Sequence, residues 1–319
     1  MSPLAVCRAR DLEARPEEQR WLIEGLWADQ AVGIVGGEPK CCKSFLALDV
    51  AVSVASGAPC LRRFHPAQTG RVLLFAAEDA LHVVRQRLEG IALAAGVVFD
   101  DLDVHVVTTP VVRLDLDDHR KKLAETVESL RPKLLVLDPF VRLHRIDENA
   151  AAEVAPLLAY LRDLERHFHT AVLLVHHARK GAAHARAGQA LRGSSELHAW
   201  GDSNLYLRRK GEGLFLTIEH RAAPSSSGLA LELRQQGEAL ALHVTEAQAA
   251  TESAGTSRSI ADQVISTLAA APAPLTLRQL RDACRVRMAR LCAELTTLTA
   301  AGRVLKSDAG YRVAAAREP

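Results

Sequence analysis

Lys43 and Ser44 follow a turn rich in small and polar residues, and their order could bind phosphate. An aliphatic run from Val32 to Val35 predicts a buried strand before the turn, and the apolar spacing from Phe45 to Ser56 predicts a helix after it. In such a loop, backbone N–H groups surround a phosphate at the positive end of the helix, a lysine neutralises its oxygens and a serine hydroxyl binds Mg²⁺. The residues of the predicted nucleotide-binding loop are Gly37, Glu38, Pro39, Lys40, Cys41, Cys42, Lys43 and Ser44.

One position departs from the usual pattern G-x-x-x-x-G-K-S. If Gly37 is the first glycine, the second falls on Cys42. Glycine is used there because its backbone reaches otherwise costly φ/ψ values and comes close to phosphate. We therefore expect Cys42 to affect the affinity for nucleotide and not the fold. An ordinary turn between a strand and a helix is the alternative interpretation.

Two further aliphatic runs lead into acidic residues. The run from Arg71 to Ala76 is followed by Glu78 and Asp79, and Leu134 to Leu137 is followed by Asp138. Ligands of open parallel sheets bind at the carboxyl ends of the strands. We therefore predict that Asp138 and Ser44 hold Mg²⁺. Capping of a helix or a turn is the alternative role for these acids.

The run from Gly37 to Asp49 resembles the Walker A segment of RecA-like P-loop ATPases of the RepA-type hexameric replicative helicase family, AAA-type ATPases of plasmids and mobile elements. The similarity extends over about residues 21–235, from Trp21-Leu22-Ile23-Glu24-Gly25-Leu26 to Glu219-His220-Arg221, and includes the stretch from Asp138 to Asn149. It implies ATP and Mg²⁺ as ligands. It also implies an α/β fold with a RecA-like, mostly parallel twisted sheet flanked by helices.

The same resemblance implies three catalytic roles. Glu78 corresponds to the glutamate that polarises the attacking water, and His177 to a polar residue that reports the γ-phosphate at the end of the strand Ala171–Val175. Arg221 corresponds to a basic residue that reaches the γ-phosphate of a neighbouring subunit. This last role implies a homo-oligomer, with a hexamer as one candidate.

A basic, glycine-containing stretch follows His177. Between residues 179 and 195 it has no acidic residue and carries Arg179, Lys180, Arg186 and Arg192. RecA-like rings use the loop at this position to contact DNA phosphates, and these four residues could do so here. A surface loop without a ligand is the alternative.

The C-terminal region is predicted to be a second domain. Residues 246–258 are small and polar and indicate a linker, and residues 259–316 have the order helix, helix, helix, hairpin. This order resembles a winged helix-turn-helix, a small α+β domain. Residues 256–319 hold ten Arg or Lys and five Asp or Glu, an excess of five positive charges. Candidate contacts to duplex DNA are Arg287, Arg290, Lys306 and Arg312. Solvated helix faces and a protein partner are the alternatives.

Composition limits the class of protein. With 319 residues, 48% hydrophobic and 24% charged, the chain suits a soluble globular protein of two domains: an N-terminal segment (1–20), the ATPase domain (21–245), a linker and the winged helix. The six cysteines show no C-x-x-C spacing, which indicates reduced thiols. No run reaches about eighteen apolar residues, so we expect a cytoplasmic protein that does not contact a membrane.

Together these features predict an ATP-hydrolysing motor that acts on DNA, either as a helicase or as an accessory ATPase of replication or mobile elements. Two alternatives remain open at this point. One is a DNA-binding regulator that does not hydrolyse nucleotide, for which Cys42 is the best argument. The other is a scaffold whose winged helix binds a partner protein.

Overall fold

The computed structural model describes residues 6–12, 16–177, 195–245, 260–271, 273–284, 288–307 and 310–314. The chain divides into two compact units, Met1–Ala249 and Ala250–Pro319. None of the described helices is both long enough and apolar enough to cross a membrane.

The first unit is built on one large sheet. A small hairpin, β1 (Trp21–Ile23) and β2 (Trp27–Ala28), precedes it. In the described part of the chain the sheet has nine strands in the order β11-β10-β9-β8-β3-β7-β6-β4-β5. Their bounds are β3 (Val32–Gly37), β4 (Val72–Ala76), β5 (Val104–Val106), β6 (Leu134–Asp138), β7 (Ala171–His177), β8 (Ser203–Lys210), β9 (Gly213–His220), β10 (Ser226–Gln236) and β11 (Ala239–Val244).

The sheet has a parallel half and an antiparallel half. Strands β3 to β8 pair in parallel, while β8, β9, β10 and β11 form an antiparallel meander. All residues of β3 and β6 are buried, as expected for parallel strands covered on both faces. The predicted α/β class is therefore confirmed. Aliphatic alternation in the sequence predicts strands at about 203–209, 214–220 and 229–233 as an antiparallel extension. The structure has these strands, but the first of them joins β3 in parallel, and the additional strand β11 was not predicted.

Helices cover both faces of the sheet. Helices α1 (Lys43–Ser56) and α2 (Leu81–Ala95) pack with β11 around one apolar core. Helices α3 (Asp117–Leu130), α4 (Ala151–Phe168) and α5 (Ser195–Trp200) contribute to a second core on the other face. Short 3₁₀ helices span Ala9–Asp11, Glu17–Arg20, Phe99–Asp101 and Phe140–Arg142.

A buried ion pair fixes the turn that follows α1. Asp49, which is fully buried in α1, accepts hydrogen bonds from the Leu61 backbone N–H at 3.1 Å and from the Arg62 guanidinium at 2.5 Å. Leu61 and Arg62 both adopt left-handed backbone conformations there. Because the carboxylate has lost its water, these hydrogen bonds are what make its burial tolerable. The same burial raises the pKa of Asp49 to about 6.

The second unit contains three helices and a hairpin. These are α6 (Ile260–Ala270), α7 (Leu277–Cys284), α8 (Met288–Ala300), β12 (Val304–Ser307) and β13 (Gly310–Val313). Thr276 and Gln279 form a reciprocal capping box that starts α7. Leu291, Leu295 and Leu298, whose spacing puts them on one face of α8, lie in a small apolar core. The element order agrees with prediction, and the winged-helix assignment itself stays a prediction.

Candidate active site

The loop between β3 and α1 turns sharply through two left-handed residues. Lys40 has a φ of 64° and Cys42 a φ of 59°. Cys42 is half-buried, and its side chain packs against the main apolar core and hydrogen-bonds Arg209. The loop thus reaches a conformation that favours glycine although position 42 carries a β-carbon.

Gly37 is needed for close packing of two strands. It ends β3 and lies between His177 of β7 and Leu207 of β8. A β-carbon at this position would overlap the backbone carbonyl oxygen of Leu207. Only glycine therefore allows β8 to approach the start of the loop at this distance.

Lys43 spans the loop from the first residue of α1. Its side chain is buried, and its Nζ donates a hydrogen bond to the backbone oxygen of Glu38 at 2.7 Å. Burial lowers the pKa of Lys43, although the charge of Asp138 opposes this effect. A buried ammonium group that is held by one carbonyl is suited to meet the oxygens of a phosphate.

Asp138 lies next to Ser44. It ends β6, is 9% exposed and accepts a hydrogen bond from the Ser44 hydroxyl. Burial raises the pKa of Asp138 to about 6, and the nearby carboxylates of Asp79 and Glu78 contribute. Burial and like charges destabilise the ionised form of this carboxylate, and a bound cation would stabilise it. Ser44 and Asp138 therefore fit the Mg²⁺ of a bound nucleotide, which keeps several water ligands.

Glu78 lies on the neighbouring strand end and is paired with an arginine. It follows β4 by two residues, and its Oε1 accepts a hydrogen bond from the Nε of Arg142 at 2.9 Å. The next residue, Asp79, forms an ion pair with Arg87 of α2. Neither Arg87 nor Arg142 was predicted from the sequence as part of the site. The one available signal for Arg142 was its place in the basic stretch directly after Asp138.

His177 lies across from the loop. It is the register neighbour of Gly37 on β7 and is half-buried. Burial lowers its pKa, and the charge of Lys43 lowers it further, so His177 is neutral near pH 7. His176 has the opposite orientation and packs edge-on against Phe140, with ring centroids 5.9 Å apart.

This order of elements agrees with a known family. A family model described as "AAA domain" matches residues 2–183, which is more than half of the chain. The chain belongs to this family. Its AAA domain is a nucleotide-binding ATPase domain, and the matched stretch contains the loop, Glu78, Asp138 and His177. A solved structure of a KaiC-like protein from the hyperthermophilic archaeon Pyrococcus horikoshii is similar at 14% identity and a TM-score of 0.48, covering 70% of this chain and 93% of that one.

Arg209 contacts the AAA domain from outside the matched stretch. It lies near the end of β8, and its Nε donates to the backbone oxygen of Lys40 at 3.4 Å. With its contact to Cys42 it touches the loop at two points. Arg209 has no local sequence signal for this position, because the pairing of β8 with β3 brings it there.

Arg221 lies at the amino ends of the parallel strands, whereas the nucleotide loop lies at their carboxyl ends. It follows β9, whose last residue pairs with Ser203 at the start of β8. Its guanidinium is 3.2 Å from Asp202 and also donates to the backbone oxygens of Ala199 and Trp200. The structure therefore does not bring Arg221 to the nucleotide loop of its own AAA domain.

The predicted DNA contacts are only partly described. Arg179, Lys180, Arg186, Arg192 and Arg287 and the side chain of Arg290 lie outside the described residues. Lys306 and Arg312 are exposed on the hairpin of the second unit, where Lys306 Nζ lies 6.0 Å from the centre of the Tyr311 ring. Their predicted role in DNA binding stays a prediction.

Proposed function

We propose that this protein is an ATP-hydrolysing RecA-like motor that acts on DNA, as a RepA-like helicase or as an accessory ATPase of replication or mobile elements. One observation carries the proposal. Side chains that follow β3 and β4 and that end β6 and β7 meet at the carboxyl ends of the parallel strands, in the chain order of a RecA-like ATPase.

The first task is to hold the triphosphate. Backbone N–H groups of Glu38 and of residues 40–44 surround the phosphates, and the Lys43 ammonium moves from the Glu38 carbonyl to their oxygens. Ser44 and Asp138 hold Mg²⁺, which neutralises charge on the phosphate oxygens when it is bound. Release of the Lys43 hydrogen bond on binding costs little, because the Glu38 carbonyl can accept from water instead.

The second task is to direct water and to sense the bound state. Glu78 accepts a proton or a hydrogen bond from the attacking water, which is the role of a general base. Neutral His177 donates from one ring nitrogen to the γ-phosphate. Because β7 lies beside β3, this contact ties the state of the nucleotide to the chain that follows residue 177.

The third task needs a second copy of the chain. Arg221 and the nucleotide loop lie at opposite ends of the parallel strands, so Arg221 can complete only the site of a neighbour. Its release from Asp202 would not leave that carboxylate without a cation, because Arg162 also pairs with it. We therefore include a homo-oligomer in the proposal, with a hexameric ring as one candidate.

DNA is the proposed partner on grounds of charge and position. The basic stretch 179–195 directly follows His177, and the C-terminal residues 256–319 carry the excess of positive charge. Cytoplasmic location is part of the same proposal.

Cys42 supports a second candidate. A loop that keeps its shape with a cysteine in place of glycine could bind nucleotide without efficient hydrolysis, and the protein would then be a nucleotide-responsive DNA-binding regulator. A scaffold whose second unit binds protein differs from both in needing no DNA.

One experiment separates these candidates. ATP turnover and fluorescent-nucleotide binding are measured with and without single-stranded DNA for the wild type and for Glu78→Gln. The motor predicts turnover that DNA stimulates and that Glu78→Gln abolishes while binding persists. Binding without turnover in both proteins would favour the regulator, and an absence of nucleotide binding would contradict both.

A further inference from the structure

Arg142 and Glu78 form an ion pair within the proposed site. The two residues are 64 positions apart in the chain, and the Arg142 Nε lies 2.9 Å from Glu78 Oε1. Strands β4 and β6 bring them together, because Ala76 and Asp138 are register neighbours on these strands. The pair is therefore built by the parallel core of the sheet and not by a local turn.

The backbone of Arg142 is anchored by hydrogen bonds, while its side chain, which pairs with Glu78, is largely exposed. Its N–H donates to the Pro139 oxygen at 3.1 Å, and its carbonyl accepts from Arg113 at 2.8 Å. The side chains of Arg142 and Glu78 remain 60% and 41% exposed. Exposed ion pairs are weak, so this one can open without disturbing the fold.

We propose that Arg142 is a positioning residue that restrains Glu78, and that a phosphate group bound at this edge takes Arg142 and frees Glu78. This inference rests on the proposed function of Glu78. A carboxylate oxygen that accepts from a guanidinium is held in one position, with a lone pair that is not available to water. Loss of the pair leaves Glu78 able to turn towards the attacking water.

The surroundings of the pair suit an anion. A cavity of about 300 Å³ is lined by Glu78, Arg113 and Arg142 together with apolar residues. The residues that line the cavity carry two guanidinium groups and one carboxylate, a net positive charge, and the nearby carboxylate of Asp79 is paired with Arg87. Guanidinium groups bind phosphate through paired hydrogen bonds, which makes a phosphate a direct competitor of Glu78 for Arg142. That phosphate can come from a single strand of DNA or from inorganic phosphate.

The test compares ATP turnover of the full-length wild type with Arg142→Ala, Arg142→Lys and Arg142→Gln. Arg145→Ala, an exposed arginine three residues further along, is the matched control. We expect Arg142→Ala and Arg142→Gln to raise basal kcat about two- to fivefold with an unchanged nucleotide Kd. Arg142→Lys should stay near the wild-type rate, since it keeps a cation, and so should Arg145→Ala.

The response of kcat to salt and to phosphate distinguishes this role of Arg142 from a purely structural one. Higher salt screens an exposed ion pair, so it should raise the basal kcat of the wild type and not that of Arg142→Ala. Oligo(dT) or inorganic phosphate should stimulate the wild type more than Arg142→Ala, and the reagent that does so identifies the source of the phosphate.

The outcomes separate this inference from the proposed function. An unchanged or lower kcat of Arg142→Ala and Arg142→Gln, in a wild type that hydrolyses ATP through Glu78, overturns the inference and leaves the ATPase proposal standing. If the wild type shows no ATP turnover that is lost in Glu78→Gln, both the inference and the proposed function are overturned.

Discussion

The α-carbon of Gly37 lies directly against the backbone carbonyl of Leu207, so that a β-carbon at position 37 would overlap the carbonyl oxygen. This contact joins the start of the nucleotide loop to β8, the strand that leads into the antiparallel half of the sheet. The loop is thus held from a strand that lies outside the stretch matched by the AAA domain family.

Gly37→Ala should therefore destabilise the protein and disturb the loop. Either β8 or the loop must move, and overpacking of this kind costs about 1 to 3 kcal/mol. Denaturant unfolding measures the first effect, and fluorescent-nucleotide titration measures the second. An unchanged free energy of unfolding would show that the two strands separate more easily than their packing indicates.

Lys43→Ala should abolish nucleotide binding in a protein that stays folded. The substitution removes the cation that faces the phosphates, and the Glu38 carbonyl that loses its donor can turn to water. Nucleotide titration and thermal melting give the two readouts. Lys122→Ala removes an exposed lysine of α3 and serves as the charge-matched control. Unchanged affinity in Lys43→Ala would contradict the assignment of the loop.

Asp138→Asn should stabilise the nucleotide-free protein at alkaline pH while it weakens Mg²⁺-dependent binding. Burial raises the pKa of Asp138 from 3.8 to about 6, so the folded state holds an extra proton between about pH 4 and pH 6. Stability consequently falls as the pH rises through this window and stays lower above it. Asparagine avoids this cost and keeps the acceptor for Ser44.

The gain for Asp138→Asn should be about 1 to 3 kcal/mol at pH 8 and smaller at pH 5. Thermal or denaturant melts of both proteins at the two values test this. Asp49 titrates in the same range, but it is present in both proteins, so the difference between them isolates Asp138. A gap that does not grow with pH would contradict the pKa shift.

Cys42→Gly should leave stability nearly unchanged and should keep or raise nucleotide affinity. Relief of the left-handed backbone gains about 1 kcal/mol, while the greater freedom of glycine in the unfolded chain costs about as much. Cys42→Ala is the control, because it keeps the β-carbon and removes the sulfur that contacts Arg209. A loss of affinity in both variants would show that the sulfur has a positive role.

The two basic regions should have separable effects on DNA. Deletion of residues 256–319 should weaken duplex binding and reduce its salt dependence, since five excess positive charges are lost. Neutralising Arg179, Lys180, Arg186 and Arg192 should spare duplex binding and remove stimulation of ATP hydrolysis by single strands. Titrations with labelled single- and double-stranded DNA at two salt concentrations measure both. Equal binding by truncated and intact protein would exclude the second unit from duplex recognition.

The sequence predicted β6 and β7 well because each is an aliphatic run that ends in a polar residue. This pattern alone predicted Asp138, and together with the resemblance it predicted His177. The structure places both residues beside the loop. The roles of Glu78 and Arg221 needed the resemblance.

Contacts that depend on strand pairing had no local signal. The pairing of β8 with β3 brings Arg209 to the loop, and the neighbouring positions of β4 and β6 bring Arg142 to Glu78. Strand β11 was missed for a similar reason, since its six residues gain their burial from the helices α1 and α2 that pack on it. Such tertiary contacts decide what an exposed arginine touches.

Burial of the two cysteines beside the loop has a consequence for chemical labelling. It raises the pKa of Cys41 and of Cys42, so both remain protonated at neutral pH, and only the thiolate reacts quickly with maleimides or peroxide. Cys7, in contrast, is exposed. A fluorophore can therefore be attached at Cys7 with the nucleotide loop left intact, and mild oxidants should spare the loop as well.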